Sequence, residues 1–406
     1  MNQSTEEAAR PRAALTLLLV ALSAFGPMSM DIYLPALPEM TRIFATDVSG
    51  AQLTLSSFTA TFAVAQLFYG PLSDRFGRRP LLLAGLGIYL LGTLLCVVTR
   101  SLDTMIAARI LQAVGACAGS VLARAVVRDL YSRERAAHMM SFLAASMAIA
   151  PVIAPVIGGW LVQFSWRWDF GVMLLFGAAT LAGSWVLMGE TNRHLDPRAL
   201  SARRMVEAFA MLLRDPVYVC NSLAVTFVFI SLYSYISLSS FVVIDVLGVP
   251  VDQFGFFFGG PVLAFMAGSM IATRLAHRAP IERTIRIGVA IGVLGAVAIL
   301  VCALLRIQTL TTVVVPVAVM AFAQGLVLPN SIAMALQGHP TIAGSASALL
   351  GFVQAGVGAF AGWLAGLLHN GTTLTLACFM AGGWAAAALT HLVLLRFARR
   401  AKASGA

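Results

Sequence analysis

The chain is a succession of apolar runs, each about 20 residues long and parted by short polar loops. A helix of that length crosses the hydrocarbon core of a bilayer. In lipid only helices and closed barrels satisfy their own backbone hydrogen bonds. The runs are continuous and not alternating, so they read as helices. Composition agrees, with 59% hydrophobic and 11% charged residues, against about a quarter charged in soluble domains. Twelve candidate spans lie near 13–36, 50–71, 80–99, 103–126, 137–161, 170–188, 217–244, 254–276, 285–305, 309–336, 344–367 and 372–396. The expected fold class is an all-α membrane protein.

Charge placement orients the spans. Of the 27 Lys and Arg residues, 22 fall at the two termini and in alternate loops, and four (Arg42, Arg100, Arg167, Arg306) fall on the other side. Positively charged loops stay inside, so both termini are expected in the cytoplasm of a bacterial inner membrane. An odd number of spans would scramble this alternation. Arg10 and Arg12 ahead of an apolar run imitate a signal peptide. That run is long enough to span, so it reads as an uncleaved first helix. The net charge of +10 is therefore topological, and nucleic acid is not an expected partner; the bilayer is. The five cysteines, Cys96, Cys117, Cys220, Cys302 and Cys378, lie in separate apolar spans with no C-x-x-C pair. They read as packing residues, not disulfides or metal ligands. The histidines show no metal-ligand spacing; His138, His194, His277 and His339 fall in expected cytoplasmic loops.

One loop is long, Gly189 to Pro216. Within it Leu200, Met205, Phe209 and Leu212 recur at helical spacing, as in a helix lying on the inner membrane surface. It divides the chain into an N-terminal six-helix bundle (1–190), a cytoplasmic linker (191–216) and a C-terminal six-helix bundle (217–406).

Between the second and third spans the chain reads Gly70-Pro71-Leu72-Ser73-Asp74-Arg75-Phe76-Gly77-Arg78-Arg79-Pro80. A topogenic turn would need the arginines and a bend, but no aspartate and no fixed glycines. The order of residues resembles the signature loop of the major facilitator superfamily, G-x-L-a-D-r-x-G-r-r/k. The resemblance implies twelve helices in two six-helix bundles, a substrate site between them near the midplane, and a conformational latch carried here by Gly70, Asp74, Arg75, Gly77, Arg78 and Arg79.

Asp31 stands inside the first span. A carboxylate there costs about 3 kcal/mol even on lenient scales, which marks it as a proton carrier unless Pro35 and Pro38 bring it to the outer interface. Arg109 and Gln112, three apart, share a face of the fourth span. An arginine at that depth needs a cavity or an acid, unless it snorkels outward. Asp31 is the acid well inside a span of the same half, so Arg109 is expected beside it. The segment also resembles the superfamily's R-x-x-q-G motif, with Ala113 in place of glycine.

The fifth span carries Pro151, Pro155, Gly158 and Gly159. Two prolines four apart bend a helix and a glycine pair lets another helix touch it. The run resembles the exporter motif G-x-x-x-G-P-x-x-G-G, with Ala154 at the glycine before proline; an ordinary kinked helix is the plainer reading. Gly358, Gly362 and Gly366 read as a tight packing stripe. Tyr33, Gln66, Gln112, Tyr233, Tyr235, Gln324, Asn330 and Gln354 are candidates for the cavity wall, or equally interhelical hydrogen bonders.

Met30–Pro38, Gln52–Leu55, Gly70–Pro80, Arg109–Gln112, Val127–Tyr131 and Ile342–Ala348 together look like the Bcr/CflA group of drug-exporting facilitators. That resemblance implies a drug/proton antiporter whose relatives expel bicyclomycin, sulfonamides or amphenicols such as chloramphenicol. It implies Asp31 and Arg109 as proton-coupling residues, the proton gradient as energy source with no cofactor, and one chain as a complete pathway. The alternative is a proton-coupled exporter or symporter of a small metabolite. A polytopic enzyme or sensor would need a catalytic or nucleotide site, and no Walker A, H-E-x-x-H or G-x-S-x-G pattern is present.

Overall fold

The computed structural model describes residues 3–391 apart from Arg198 and His277. Those two, the C-terminal Arg396, Arg399, Arg400 and Lys402, and the last part of the expected twelfth span lie outside the described residues. In chain order the helices are α1 (Gln3–Ser23), α2 (Phe25–Asp31), α3 (Leu37–Ile43), α4 (Val48–Phe76), α5 (Arg78–Val98), α6 (Leu102–Leu130), α7 (Arg133–Val162), α8 (Arg167–Leu187), α9 (Ala202–Arg214), α10 (Pro216–Ser240), α11 (Phe254–Leu275), α12 (Ile281–Leu304), α13 (Leu310–Gln337), α14 (Ala343–Leu367) and α15 (Leu374–Leu389). Among the described residues nine helices are long and apolar enough to cross a membrane. The bent run formed by α1, α2 and α3 adds a tenth candidate. With α4, longer but more polar, and the shorter α15, each of the twelve expected windows holds a helix.

The first window differs from expectation. A single helix over 13–36 was expected; the chain instead breaks at Ala24 and again around Ile32 and Tyr33, bends by 46°, and continues as a helix to Ile43. The cause is local. Pro27, Pro35 and Pro38 have no amide hydrogen to give to the preceding turn, and Gly26 stands beside the first of them.

Elsewhere the helix ends follow their caps. Asp47 accepts from Gly50 N at 2.8 Å to open α4, and the Thr309 and Thr312 hydroxyls form a reciprocal capping box at α13. Helices α1 to α8 pack with one another, as do α10 to α15. Lipid offers no hydrophobic drive between helices, so close van der Waals fit must hold them. The α5–α6 pair shows it: a Cβ on Gly115 would stand 2.3 Å from Tyr89 N.

The two sets meet along α4–α14 and α7–α11. The linker helix α9 opens on Ser201, whose hydroxyl caps Arg204 N, and packs on α10 and α14 with Leu212 buried. Two ends of the molecule can be told apart by sequence. One carries the arginine-rich loops; the other carries the arginine-poor connections.

Candidate functional site

Helices from both sets enclose a cavity of about 310 Å³. Its lining is nearly all apolar: Pro27, Met147 and Pro151 from one set face Phe229, Phe258 and Phe265 from the other. Three of the expected site residues join them, Asp31, Tyr235 and Gln324. Asp31 is the sole acid among the described lining residues. It reaches the wall because the chain breaks one residue later, which ends α2 with the carboxyl turned inward. It is 4% exposed, and it makes no hydrogen bond or ion pair with another described residue.

The cavity is roofed at the arginine-poor end by backbone contact. Gly158 lies so close to Ile32 that a Cβ would stand 1.9 Å from its carbonyl oxygen. Across the halves, a Cβ on Gly159 would stand 2.5 Å from the Val251 carbonyl, and one on Gly255 2.5 Å from Val156 N. Helix α7 runs unbroken through Pro151 and Pro155; Pro151 lines the cavity and the glycine pair serves the roof. Polar bonds reinforce it. Gln52 and Ser237 bond each other twice, once at 2.6 Å and once through a closer amide–carbonyl contact. The Tyr233 and Thr59 hydroxyls lie 2.7 Å apart, and Arg42 faces Asp245 at 3.6 Å. Gly358, Gly362 and Gly366 admit Phe229, Tyr233 and Gln52 against α14.

The expected pairing of Arg109 with Asp31 is absent. Arg109 is fully buried. Its guanidinium donates to Ser29 O at 3.0 Å, Gln112 Oε1 at 2.6 Å and Thr54 O at 3.3 Å. It also sits over the rings of Phe58 (4.3 Å), Tyr33 (5.1 Å) and Phe170 (5.9 Å). Carbonyl oxygens and aromatic faces thus hold the charge where an acid was expected. Gln112 and Tyr33 belong to this cluster and not to the cavity wall. Gln112 also donates to Thr93 Oγ1 at 2.9 Å, and the Tyr33 hydroxyl lies 3.0 Å from that of Thr54.

The other expected wall residues lie elsewhere too. Tyr233 is spent on the roof. Gln66 lies against Gly351 on α14. Asn330 donates to Leu326 O of its own helix at 2.8 Å. Gln354 is half-buried outside the cavity lining.

The loop at 70–80 forms a clasp at the arginine-rich end. Gly77 turns the chain with φ +97°, a conformation that favours glycine, and lies where a Cβ would stand 2.5 Å from Glu190 Oε2. Arg78 pairs with Asp74 at 2.7 Å and with Asp129 on α6 at 3.0 Å, and also donates to Ser73 Oγ. Glu190, just past α8, caps the first turn of α5, accepting from Arg78 N at 2.9 Å and Arg79 N at 3.1 Å. Burial pulls the Glu190 carboxyl up, but the amides of Asn192, Arg78, Arg79 and Thr191 outweigh it and hold the group below its ordinary value. Arg79 reaches Trp185 O at 3.0 Å, and Arg75 lies over the Phe76 ring. A Cβ on Gly70 would meet open space. These bonds tie the loop to its own half and, through Asp196 N to Asp74 O at 3.0 Å, to the linker. Glu190 and Asp129 were not singled out by sequence reading. Only the resemblance over Val127–Tyr131 drew notice to Asp129, and nothing marked Glu190.

Comparison with known proteins decides the family. The Major Facilitator Superfamily model matches residues 17–362. The chain belongs to the major facilitator superfamily. It is a membrane transporter and not an enzyme. It is 32% identical to a bicyclomycin resistance protein homolog of Haemophilus influenzae over 86% of this chain and 87% of that one. It is also 32% identical to multidrug resistance protein D of Escherichia coli K12, over 84% of this chain and 85% of that one. These relatives bear out the likeness to the Bcr/CflA drug-resistance group. A solved D-xylose–proton symporter superposes with a TM-score of 0.73 over 95% of this chain and 97% of its own, at 14% identity, so it speaks for the fold alone.

Proposed function

We propose that this superfamily member is a proton-coupled exporter of small drugs, of amphenicol, bicyclomycin or sulfonamide type, working by alternating access. One observation carries the reading: Asp31, the one acid among the described lining residues, faces a nearly all-apolar cavity between two helix sets that are in contact at one end. An apolar wall suits lipophilic drugs, and an unpartnered acid in it can trade its proton for a bound drug. The names of the relatives, which speak of bicyclomycin and multidrug resistance, point the same way.

In this reading the arginine-rich end faces the cytoplasm of a bacterial inner membrane and both termini lie there. The roof then closes the outer side, and drug enters from within. Residues 1–190 and 217–406 are the two moving bodies, joined by 191–216, and one chain suffices. Protonation of Asp31 from outside releases drug; its deprotonation toward the cytoplasm restores binding. The Arg109 cluster anchors α2, α4 and α6 around that carboxyl. The clasp at 70–80 holds its half rigid and is free to engage the other half when the inner side closes. At 100 mV one proton supplies about 2.3 kcal/mol, enough for a roughly 50-fold gradient of a neutral drug.

The test is drug-induced proton release from purified protein, with chloramphenicol, florfenicol, bicyclomycin and sulfathiazole, in wild type and Asp31→Asn. Release with one drug, lost in the variant, is the expected result. Release that survives Asp31→Asn removes that residue from the coupling step.

A further inference from the structure

A second cavity, of about 740 Å³, lies against the α5–α6 pair at its arginine-poor end and shares no lining residue with the central one. Leu95 and Val98 of α5 form one side; Ala107, Ile110, Leu111 and Val114 of α6 form the other. Leu95, Val98 and Ile110 are 42%, 59% and 41% exposed, so this is a groove open to lipid. Its hollow comes from sequence: α6 sets small Ala107 and Ala108 beside larger apolar neighbours on that face. From Thr104 to Val114 the helix climbs about 15 Å, the depth of one leaflet of a hydrocarbon core about 30 Å thick.

The mouth of the groove is polar and cationic, rimmed by Thr99, Arg100, Ser101 and Thr104. Its three hydroxyls are used locally. Thr99 donates to Ser101 O at 3.2 Å and Thr104 donates to the same oxygen at 3.0 Å, while the Ser101 and Thr104 hydroxyls lie 2.9 Å apart. These bonds fix the turn and leave Arg100 as the donor at the rim. Arg100 is exposed and makes no hydrogen bond or ion pair with another described residue. Asp103, in the first turn of α6, stands outside the lining and does not pair with it. Other arginines at this end are engaged by protein: Arg42 faces Asp245, and Arg167 donates to Val97 O and Thr99 O. A guanidinium with five donors, at the lip of an apolar groove one leaflet deep, complements a phosphate that carries a hydrocarbon chain.

We infer that this groove binds one phospholipid with a singly anionic headgroup, of the phosphatidylglycerol type. Its phosphodiester meets Arg100, and one acyl chain lies along α6 past Ala107, Leu111 and Val114. A zwitterionic headgroup would bring its own ammonium to compete for the phosphate; an anionic one does not. The lipid braces α5 against α6 near their close approach, where a Cβ on Gly92 would stand 2.5 Å from Gln112 N. Gln112 in turn holds Arg109, so the lipid supports the buried cluster from outside. The inference stands on the fold in its membrane and does not need the proton-coupled reading.

Native mass spectrometry of purified protein, stripped of loosely held lipid and then given defined lipids, tests it. Wild type should prefer phosphatidylglycerol over phosphatidylethanolamine by about fivefold, and diacylglycerol, which has no phosphate, should bind least. Arg100→Gln should abolish the preference. Arg306→Gln, at the same end but outside the groove, should keep it. Ala107→Phe, which puts a ring into the groove, should lower the binding of both phospholipids. Glycerol phosphate, which has no chains, should not displace the lipid. Equal binding of the two phospholipids by wild type, a preference that survives Arg100→Gln, or one lost equally in Arg306→Gln overturns the inference. So does lipid binding that ignores Ala107→Phe or yields to glycerol phosphate. Arg100 is exposed and unpaired, so Arg100→Gln leaves the fold intact and decides alone if Ala107→Phe does not fold.

Discussion

The roof offers the sharpest test of the structure, through Gly255→Ala. A methyl on Gly255 would stand 2.5 Å from both N and Cα of Val156. Those are backbone atoms of a long helix in the opposite half, so no rotamer change can relieve the clash. Overpacking of this kind costs about 1–3 kcal/mol, and the cost falls only on the state in which α7 and α11 touch. The ratio of roof-open to roof-closed molecules should therefore rise roughly 5- to 150-fold. Gly260→Ala on the same helix is the control, since a Cβ there meets nothing within 4 Å. Spin labels at Leu53 and Leu368, exposed positions toward the arginine-poor ends of α4 and α14, would report the change in a background lacking the five native cysteines. A larger long-distance population in Gly255→Ala, absent from Gly260→Ala, is the expected outcome. Identical distance distributions in both variants would refute the assignment of this contact as the seal.

The clasp and the arginine cluster give three further expectations. Asp129→Asn should destabilise the protein by about 2 kcal/mol and Asp74→Asn by about 0.5 kcal/mol, because the first pair is more buried; detergent thermal melts would rank them. Glu190→Gln should cost about 0.5–1 kcal/mol at neutral pH through loss of a charged helix cap. Its carboxyl is held below the ordinary 4.5, so the contribution is full above that pH and is lost as pH falls through the lower folded value; wild type and variant should melt alike in acid. Arg109→Lys should lower drug transport about tenfold or more, since an ammonium cannot keep the forked bonds to Ser29, Thr54 and Gln112 while facing three rings; unchanged transport would show that charge alone suffices.

The windows of the twelve helices were legible because lipid makes apolar length decisive. Asp31 was legible for the same reason: an acid in such a run stands out. What sequence could not show is where a polar side chain points once helices pack. Tyr33, Gln112 and Tyr233 looked like wall residues, yet their polar ends are consumed by Thr54, Arg109 and Thr59. Arg109 was expected to seek an acid, because periodicity carries no hint that three rings, one from the break in the first span and two from α4 and α8, would converge on it. Asp169, fully buried with neither carboxyl oxygen hydrogen-bonded, went unnoticed because it lies at the edge of an apolar run, where an acid looks solvated.

The seal between Gly159 and Val251, and between Gly255 and Val156, is written in main chain, whereas the cavity wall is written in side chains. On the proposed export reading, substitutions at Met147 or Phe265 therefore reshape the cargo site without touching how it shuts. A lineage built this way can explore new cargo one residue at a time while its stroke stays constant, and inhibitors aimed at the seal would meet a surface with few viable escape mutations.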